Sequence, residues 1–388
     1  MNSATKKIAR WFAAGAIVLA GLLVITIVSR PTAKDYISYW SAGKLLLHHA
    51  DPYSPSRVFS LEKTQGYSEA KPLIMRNPPW ALFLAVPLGF GGPMYGLLLW
   101  TVVLAGSIIA SLRLLHIPSK DVAFAFVFAP VLASICVGQS SPFLLLGFSL
   151  FLHFYGSRPF VAGASLLLMA IKPQLFLVFW MVLLIDCVYR RRFVILAGGA
   201  SALAAGTAFS MCLNPLIWQH YFAMLRASGL NHEFFPTASM RFRLLIDPRA
   251  DWLLFVPSAL AVFWGLWYYA RSRHVWDWRV HGMLLMLVTV MATPYGSFTD
   301  EVVLLPSIVF ALSIREPHKY SVGILLAING IALLIVVVFH PRLSSSAYLW
   351  TPLAWLAWFL YACHGAGARR RNGSSLVPSA EIAGAERV

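Results

Sequence analysis

Two long, predominantly apolar runs decide the fold: ILLAINGIALLIVVVF at residues 324–339 and FAAGAIVLAGLLVITIV at residues 12–28. A helix needs about 20 mostly apolar residues to cross a bilayer, and apolar runs recur throughout the 388 residues. Outer-membrane barrels instead show short segments of alternating polarity. The pattern therefore predicts an all-α polytopic membrane protein.

The composition supports this class. Apolar residues make up 59% of the chain and charged residues 12%, and the mean hydropathy is +0.70. Soluble domains contain roughly 45–50% apolar and about 25% charged residues. The four cysteines form no CxxC pair, and the adjacent His48 and His49 point in different directions on a helix. We therefore predict no metal and no cofactor.

The charge distribution predicts the topology. The formal net charge of +16 indicates cytoplasmic loops that obey the positive-inside rule, with contacts to anionic lipid phosphates as a second source and no nucleic-acid partner. Placing both chain ends in the cytoplasm gives every short inside connection at least one basic residue. About twelve membrane helices are predicted, at residues 11–29, 92–115, 121–137, 142–156, 160–172, 174–188, 193–213, 251–270, 280–294, 301–314, 320–339 and 347–363.

One integral-membrane domain is predicted over residues 1–365, followed by a disordered cytoplasmic tail at 366–388. The first apolar run exceeds the usual length of a signal-peptide core, so it is interpreted as a retained helix. Two long segments, 30–91 and 214–250, fall on the outer side. We expect a multi-pass protein of the bacterial inner membrane, with its active site on the periplasmic or extracytoplasmic face.

The first outer segment contains KDYISYWSAGKLLLHHADPYSP at residues 34–55. It predicts an amphipathic helix in the membrane interface, with its leucines at 45–47 toward lipid and Tyr39 and Trp40 at headgroup depth. A second juxtamembrane helix is predicted in NPPWALFLAVPL at residues 77–88. Asp35 is open to two interpretations, an N-cap of the first helix or a functional carboxylate.

Four stretches together resemble glycosyltransferase family 87. Besides the two above, they are VGQSSPFLLLGFSL at residues 137–150 and AGASLLLMAIKPQLFLVFW at residues 162–180, and ATPYGSFTDEVVLLPSIV at residues 292–309 is similar to a later block of that family. The resemblance covers most of residues 33–310. The family usually has Tyr-Pro-Pro in the second stretch, whereas this chain has Asn77-Pro78-Pro79.

The resemblance implies a GT-C-type helical bundle and a transferase that uses a polyprenyl-phosphate sugar, often mannose. The family's catalytic Asp corresponds to Asp35. A phosphate leaving group needs little protonation, so one general base that activates the acceptor hydroxyl suffices, whereas glycosidases need two carboxylates. We expect an inverting transfer of a hexose to an extracytoplasmic glycolipid or glycan acceptor.

The donor phosphate requires cations near the outer surface. Lys172 lies within an apolar stretch, where an ionisable residue is usually functional, although it could instead snorkel as a helix-end anchor. Arg241 and Arg243 could clamp phosphate oxygens or belong to a solvated basic loop. Arg76 is the remaining candidate for this role.

Other polar residues are candidates for binding the sugar or the acceptor. Gln139 could contact a sugar hydroxyl or form a buried helix–helix hydrogen bond, and Glu233 is a weaker candidate. Asp300 and Glu301 begin a helix, where the helix dipole alone would stabilise them. The predicted sugar- or acceptor-binding set is Tyr39, Trp40, Gln139, Gln174, Asp300 and Glu301.

Two other functional classes stay open. A transporter or flippase of lipid-linked sugars would carry charges near the middle of several helices and broken helices in two matching halves. A non-catalytic subunit of an envelope-assembly complex is the third hypothesis.

Overall fold

The computed structural model describes residues 35–117, 122–229, 233–314, 320–339 and 343–370. The predicted first span at 11–29 lies outside these residues, as does most of the predicted tail. Every regular element in the described residues is helical, with no strand. The all-α prediction is therefore confirmed.

The α-helices are numbered in chain order. They are α1 (Tyr36–Leu47), α2 (Pro55–Thr64), α3 (Val86–Gly89), α4 (Pro93–Leu114), α5 (Val122–Val127), α6 (Ala129–Val137), α7 (Ser141–Phe154), α8 (Pro159–Met169), α9 (Leu177–Tyr189), α10 (Phe193–Leu213), α11 (Ile217–Ala227), α12 (Ala238–Ile246), α13 (Val256–Ser272), α14 (His281–Met291), α15 (Leu305–Ser313), α16 (Ser321–Leu334) and α17 (Thr351–Arg370). Short 3₁₀ helices span Pro79–Leu84, Pro173–Phe176, Asp251–Phe255, Phe298–Leu304 and Ser346–Tyr348, and a π-helical turn spans Ile335–Phe339.

Four helices of the described chain are long and apolar enough to cross a bilayer: Pro93–Leu114, Phe193–Leu213, Asp251–Ser272 and Ser321–Val338. These spans support a membrane-embedded protein. Several other predicted spans correspond to shorter apolar helices, such as α7 and α8. The predicted number of about twelve spans is not confirmed.

The predicted span at 121–137 is wrong as one continuous helix. Phe128 has an extended backbone between α5 and α6, so the helical hydrogen-bond ladder is interrupted there. The buried Asn329 of α16 compensates, because its Oδ1 accepts from the Ala129 N–H at 2.8 Å and its Nδ2 donates to the Val127 carbonyl at 3.0 Å. Unsatisfied backbone groups in an apolar interior are costly, so this side chain makes the break tolerable.

The orientation predicted for α1 is also wrong. Ten of its twelve residues are buried, and Leu46 is fully buried rather than facing lipid. Gly43 lies directly against the backbone of Ala85 and Gly89, leaving no room for a Cβ. This contact packs α1 against α3 backbone to backbone, so α1 is a core helix that fixes the position of Asp35.

A tight turn separates α6 from α7 and is encoded by GQSSP at residues 138–142. Gly138 has a left-handed backbone with φ 72°, and the Gly138 and Gln139 N–H groups bond to the Ile135 and Ser134 carbonyls. These are the two bonds of a Schellman motif. Pro142 then lies in the first turn of α7, where proline is favoured. Gln139 is thereby held at the junction of two helices.

The two long segments predicted to lie on the outer side, 30–91 and 214–250, contain helices that the sequence does not predict. The first contains α2 between α1 and the Pro79–Leu84 helix, and the second contains α11 and α12. The placement of the two predicted juxtamembrane helices at a membrane surface is not confirmed. The final helix reaches Arg370, inside the predicted tail.

Glu62 of α2 is a buried carboxylate that organises the first outer segment. It is fully buried and accepts hydrogen bonds from the Leu73 N–H at 3.1 and 3.3 Å. Burial raises its pKa from 4.5 to about 7. The folded state therefore binds this proton more tightly than the unfolded state does. As a result, the contribution of Glu62 to the free energy of unfolding falls as the pH rises from about 4.5 to about 7.

Glu62→Gln is expected to remove this pH dependence and to stabilise the protein at pH 8, because the amide still accepts from Leu73 without carrying charge. Glu62→Ala loses the same pH dependence but leaves the Leu73 N–H unsatisfied, so it is expected to be less stable than Glu62→Gln by about 1–3 kcal/mol at both pH values. Thermal melting of the three proteins at pH 5 and pH 8 measures both effects. Identical pH dependence in wild type and Glu62→Gln would contradict the assignment.

Candidate active site

Four polar side chains from distant parts of the chain form one hydrogen-bonded row. Gln139 Nε2 donates to Asp35 Oδ2 at 2.5 Å, and Lys172 Nζ donates to Gln139 Oε1 at 3.2 Å. The same ammonium forms an ion pair with Asp300 Oδ1 at 2.6 Å. Tyr39 contacts the row through its hydroxyl, which donates to Gln139 Oε1 at 3.3 Å. The structure thus brings together five predicted site residues.

Asp35 immediately precedes α1, as an N-cap would, but its side chain makes no capping hydrogen bond. Its backbone carbonyl accepts from the Ser38 N–H and hydroxyl instead. The carboxylate is therefore available for Gln139. Of the two interpretations of Asp35, the structure disfavours the one in which it serves only as a cap.

Lys172 lies between α8 and the Pro173–Phe176 helix. The following proline disfavours a helical backbone at Lys172, which has φ −131°. The two residues before it are fixed by the NPPW motif, since Asn77 Nδ2 donates to the Ile171 carbonyl at 2.9 Å and Trp80 Nε1 donates to the Ala170 carbonyl at 2.8 Å. These bonds hold the chain that carries the ammonium.

Asp300 is placed by a capping box at the start of the Phe298–Leu304 helix, as its sequence position predicts. Its Oδ2 accepts from the Ser297 N–H at 2.9 Å, and its Oδ1 accepts from the Ser141 hydroxyl at 2.7 Å. The same carboxylate lines a small crevice together with Ser297, Thr293 and Thr237. Every oxygen of Asp300 is thus engaged, which suits a fixed counter-ion.

The carboxyl groups of Asp35 and Asp300 have pKa values that shift in opposite directions. Burial raises the pKa of the Asp35 carboxyl above its ordinary value of 3.8, against the hydrogen bond from Gln139 and the charge of Lys172. Burial also acts on Asp300, but the charge and hydrogen bonds of Lys172 and Ser141 hold its pKa below the ordinary value. Carboxylates with diverging pKa values indicate different roles: Asp300 is the charged partner of Lys172, and Asp35 is suited to exchange a proton.

The other aromatic and amide candidates have separate contacts. Trp40 Nε1 donates to the Gly91 carbonyl at 3.0 Å, which ties α1 to the loop before α4. Gln174 is half-buried two residues after Lys172, and its backbone carbonyl accepts from Thr293.

Glu301 follows Asp300 but contacts a different helix. Its two oxygens accept from the Thr351 hydroxyl at 2.5 Å and from Trp355 Nε1 at 2.7 Å, and the side chain is buried. Glu301 therefore connects the Phe298–Leu304 helix with α17.

The three arginine candidates lie in different surroundings. Arg76 forms a bidentate ion pair with Glu233 at 2.5 and 2.6 Å, which connects the two outer segments. Arg243 is buried, donates to the Pro248 carbonyl and pairs with Asp251 at 3.1 Å. Arg241 is exposed on α12. None of the three has a hydrogen bond to the row Asp35–Gln139–Lys172–Asp300 within the part of the chain that the structure describes.

Sequence reasoning missed three residues that support the row. Ser141 bonds to Asp300, Ser140 accepts from the Tyr39 hydroxyl at 3.0 Å, and Asn77 holds the backbone next to Lys172. All three lie inside the stretches already noted for their resemblance. The signal that could have identified the two serines is their position between Gly138, which ends one helix, and Pro142, which begins the next.

The fold and the row define a class: an all-helical membrane protein whose polar site joins two carboxylates, an amide and an ammonium. The sequence model of glycosyltransferase family 87 matches residues 76–294, more than half of the chain. The chain belongs to glycosyltransferase family 87, and its membership makes it a glycosyltransferase. No curated protein and no solved structure matches it. The matched region contains Gln139 and Lys172, whereas Asp35 and Asp300 flank it.

Proposed function

We propose that the protein transfers a hexose, with mannose as the first candidate, from a polyprenyl-phosphate donor to a glycolipid or glycan acceptor on the extracytoplasmic side of the bacterial inner membrane. The observation that carries this proposal is the row itself. In it a carboxylate, Asp35, is joined through one amide to an ammonium, Lys172, and such a transfer needs a general base and a cation.

The proposed step is a single displacement. Asp35 accepts the proton of the acceptor hydroxyl, whose oxygen forms a bond to the anomeric carbon. The bond from that carbon to the donor phosphate breaks, and the polyprenyl phosphate leaves with the electron pair. Because the nucleophile enters opposite the leaving group, the anomeric configuration is inverted.

Lys172 is the proposed ligand of the donor phosphate. It is the one cation of the described chain that belongs to the row, and charge-assisted hydrogen bonds to phosphate are strong. Charge builds up on the phosphate as it leaves, so a fixed ammonium stabilises the transition state. Arg241, which is exposed, is proposed as an outer contact of the lipid phosphate, and Arg76 would join it by exchanging its ion pair with Glu233 for the phosphate. Arg243 is a weaker candidate because it is buried and already paired with Asp251.

The acceptor hydroxyl is proposed to approach Asp35, and Tyr39, whose ring is buried, is proposed to act through the hydrogen bond of its hydroxyl to Gln139. Trp40, Gln174, Asp300 and Glu301 are less suited to contact the sugar or the acceptor, since their hydrogen bonds are to other residues of the fold. The proposal needs no metal and no nucleotide.

The test is a donor panel. Purified protein in nanodiscs is incubated with polyprenyl-phosphate mannose, glucose and arabinose in parallel, with the matching nucleotide sugars as controls and a membrane extract as acceptor. We expect label to move from one lipid-linked donor only. Movement from a nucleotide sugar would contradict the proposed donor. Translocation of intact donor across proteoliposomes, without transfer, would indicate a flippase.

A further inference from the structure

We infer that Gln139 is a positioning residue for Asp35, rather than a ligand of the sugar: its amide fixes one carboxylate oxygen of Asp35 so that the other is presented to the acceptor hydroxyl. This inference rests on the proposed function. Gln139 would thus orient the Asp35 carboxylate and stabilise its charged form.

The orientation of the Gln139 amide is determined by its neighbours. Lys172 Nζ, 3.2 Å from Oε1, can only donate, and the Tyr39 hydroxyl also approaches Oε1, at 3.3 Å. A flipped amide would place its NH₂ group against the ammonium. The oxygen must therefore face Lys172, and Nε2 must face Asp35, where it lies 2.5 Å from Oδ2.

The backbone of Gln139 is held as firmly as its side chain. The residue follows the left-handed Gly138, whose carbonyl accepts from Trp100 Nε1 at 2.8 Å. A Cβ at Gly138 would collide with Tyr36 of α1, the residue next to Asp35. The turn and the start of α1 are therefore packed directly on each other, and small movements of either would displace the bond between the amide and the base.

The same amide couples the two ends of the row. Its oxygen accepts a hydrogen bond from Lys172, and its nitrogen donates one to Asp35. The ammonium therefore polarises the amide toward the carboxylate, although Lys172 and Asp35 form no ion pair. A direct ion pair would hold Asp35 strongly in its charged form and weaken it as a base. An intervening amide aligns the base and leaves it able to accept a proton.

The Lys172 ammonium and the Tyr39 hydroxyl both approach the oxygen of the Gln139 amide, and Asp35 takes one hydrogen of its nitrogen. One Nε2 hydrogen remains after the bond to Asp35, since an amide nitrogen carries two. A residue whose main task was sugar recognition would instead direct most of its donors and acceptors toward the ligand. The distribution of contacts thus favours positioning.

The test compares Gln139→Met and Gln139→Glu with wild type and with the exposed control Gln65→Met. Misplacing a catalytic group by about 1 Å costs about 10²-fold in rate, so Gln139→Met is expected to lower kcat about 10²-fold with donor KM changed less than about threefold. Loss of a hydrogen bond to the charged form should also move the acid limb of the pH–kcat profile to higher pH. In Gln139→Glu a second carboxylate faces Asp35, so the shift should be larger.

Each outcome decides the inference. A rise in donor KM with unchanged kcat and pH profile would show a sugar ligand and overturn it, and unchanged kinetics would overturn it as well. If Gln139→Met does not fold, Gln139→Glu decides, because it keeps the side-chain volume and an acceptor for Lys172; failure of both would make the role purely structural and contradict the inference. Normal kinetics in the Gln139 variants with an inactive Asp35→Asn would overturn only the inference. An active Asp35→Asn would instead overturn the proposed function.

Discussion

Asp35→Asn is expected to reduce transfer by about 10²–10⁴-fold, the usual contribution of a general base, while donor binding and folding stay close to wild type. Asn keeps the shape of the side chain and an oxygen that can accept from Gln139, so the row Asp35–Gln139–Lys172–Asp300 is preserved. What it loses is the capacity to take the acceptor proton. Initial rates at saturating donor, with donor affinity measured separately, give the two quantities.

Wild type should also lose activity as the pH falls, because a base works only when it is deprotonated. Burial raises the pKa of Asp35, so the acid limb should lie above pH 3.8, the ordinary value for an aspartate, and it should be absent from the residual activity of Asp35→Asn. Asp277→Asn is the matched control, since Asp277 is exposed between α13 and α14. Strong activity in Asp35→Asn would contradict the assignment of the base.

Lys172→Met is expected to have the second largest effect, on both stability and donor use. Asp300 is 5% exposed and its ion pair with Lys172 measures 2.6 Å, so removing the cation leaves a buried carboxylate without its partner. Breaking a buried pair in this way costs about 3–5 kcal/mol. Loss of a charged hydrogen bond to the donor phosphate, about 1.5–3 kcal/mol, should raise the apparent donor KM about 10–100-fold.

The double variant Lys172→Met/Asp300→Asn separates the two effects. Removing both charges leaves no uncompensated ion, so thermal stability should recover toward wild type. Donor affinity should not recover, because the phosphate still lacks its cation. Melting temperatures and donor titrations of the two single variants and the double variant complete the cycle. A stable double variant with wild-type donor affinity would show that Lys172 is only half of a structural pair.

The sequence predicts the class of fold well, because the bilayer leaves only helices as a solution for apolar runs such as 324–339. It does not predict where those runs break. The interruption at Phe128 depends on Asn329, which bonds to Ala129 from 200 residues away along the chain, and no local sequence pattern predicts that pairing. The burial of Leu46 likewise depends on the close contact between Gly43 and Gly89.

The site was predictable as a set of residues but not as an arrangement. Placing an ionisable side chain in or next to an apolar run costs free energy, so such a residue usually has a function. On that ground Asp35 and Lys172 could be predicted from the sequence. Their connection through Gln139 could not be, because it depends on how α1, α6 and α8 pack. Arg243 shows the reverse case: it is a typical phosphate ligand in sequence, yet it pairs with Asp251 in the fold.

The central claim is a single displacement on a lipid-linked donor with Asp35 as the base, and the stereochemistry of the product tests it most directly. Wild type and Asp35→Asn are incubated in nanodiscs with the donor selected by the panel, and the anomeric configuration of the transferred sugar is determined by NMR. We expect product from wild type, with the configuration opposite to that of the donor, and almost none from Asp35→Asn. A product that retains the donor's configuration, or equal product from both proteins, would contradict the account.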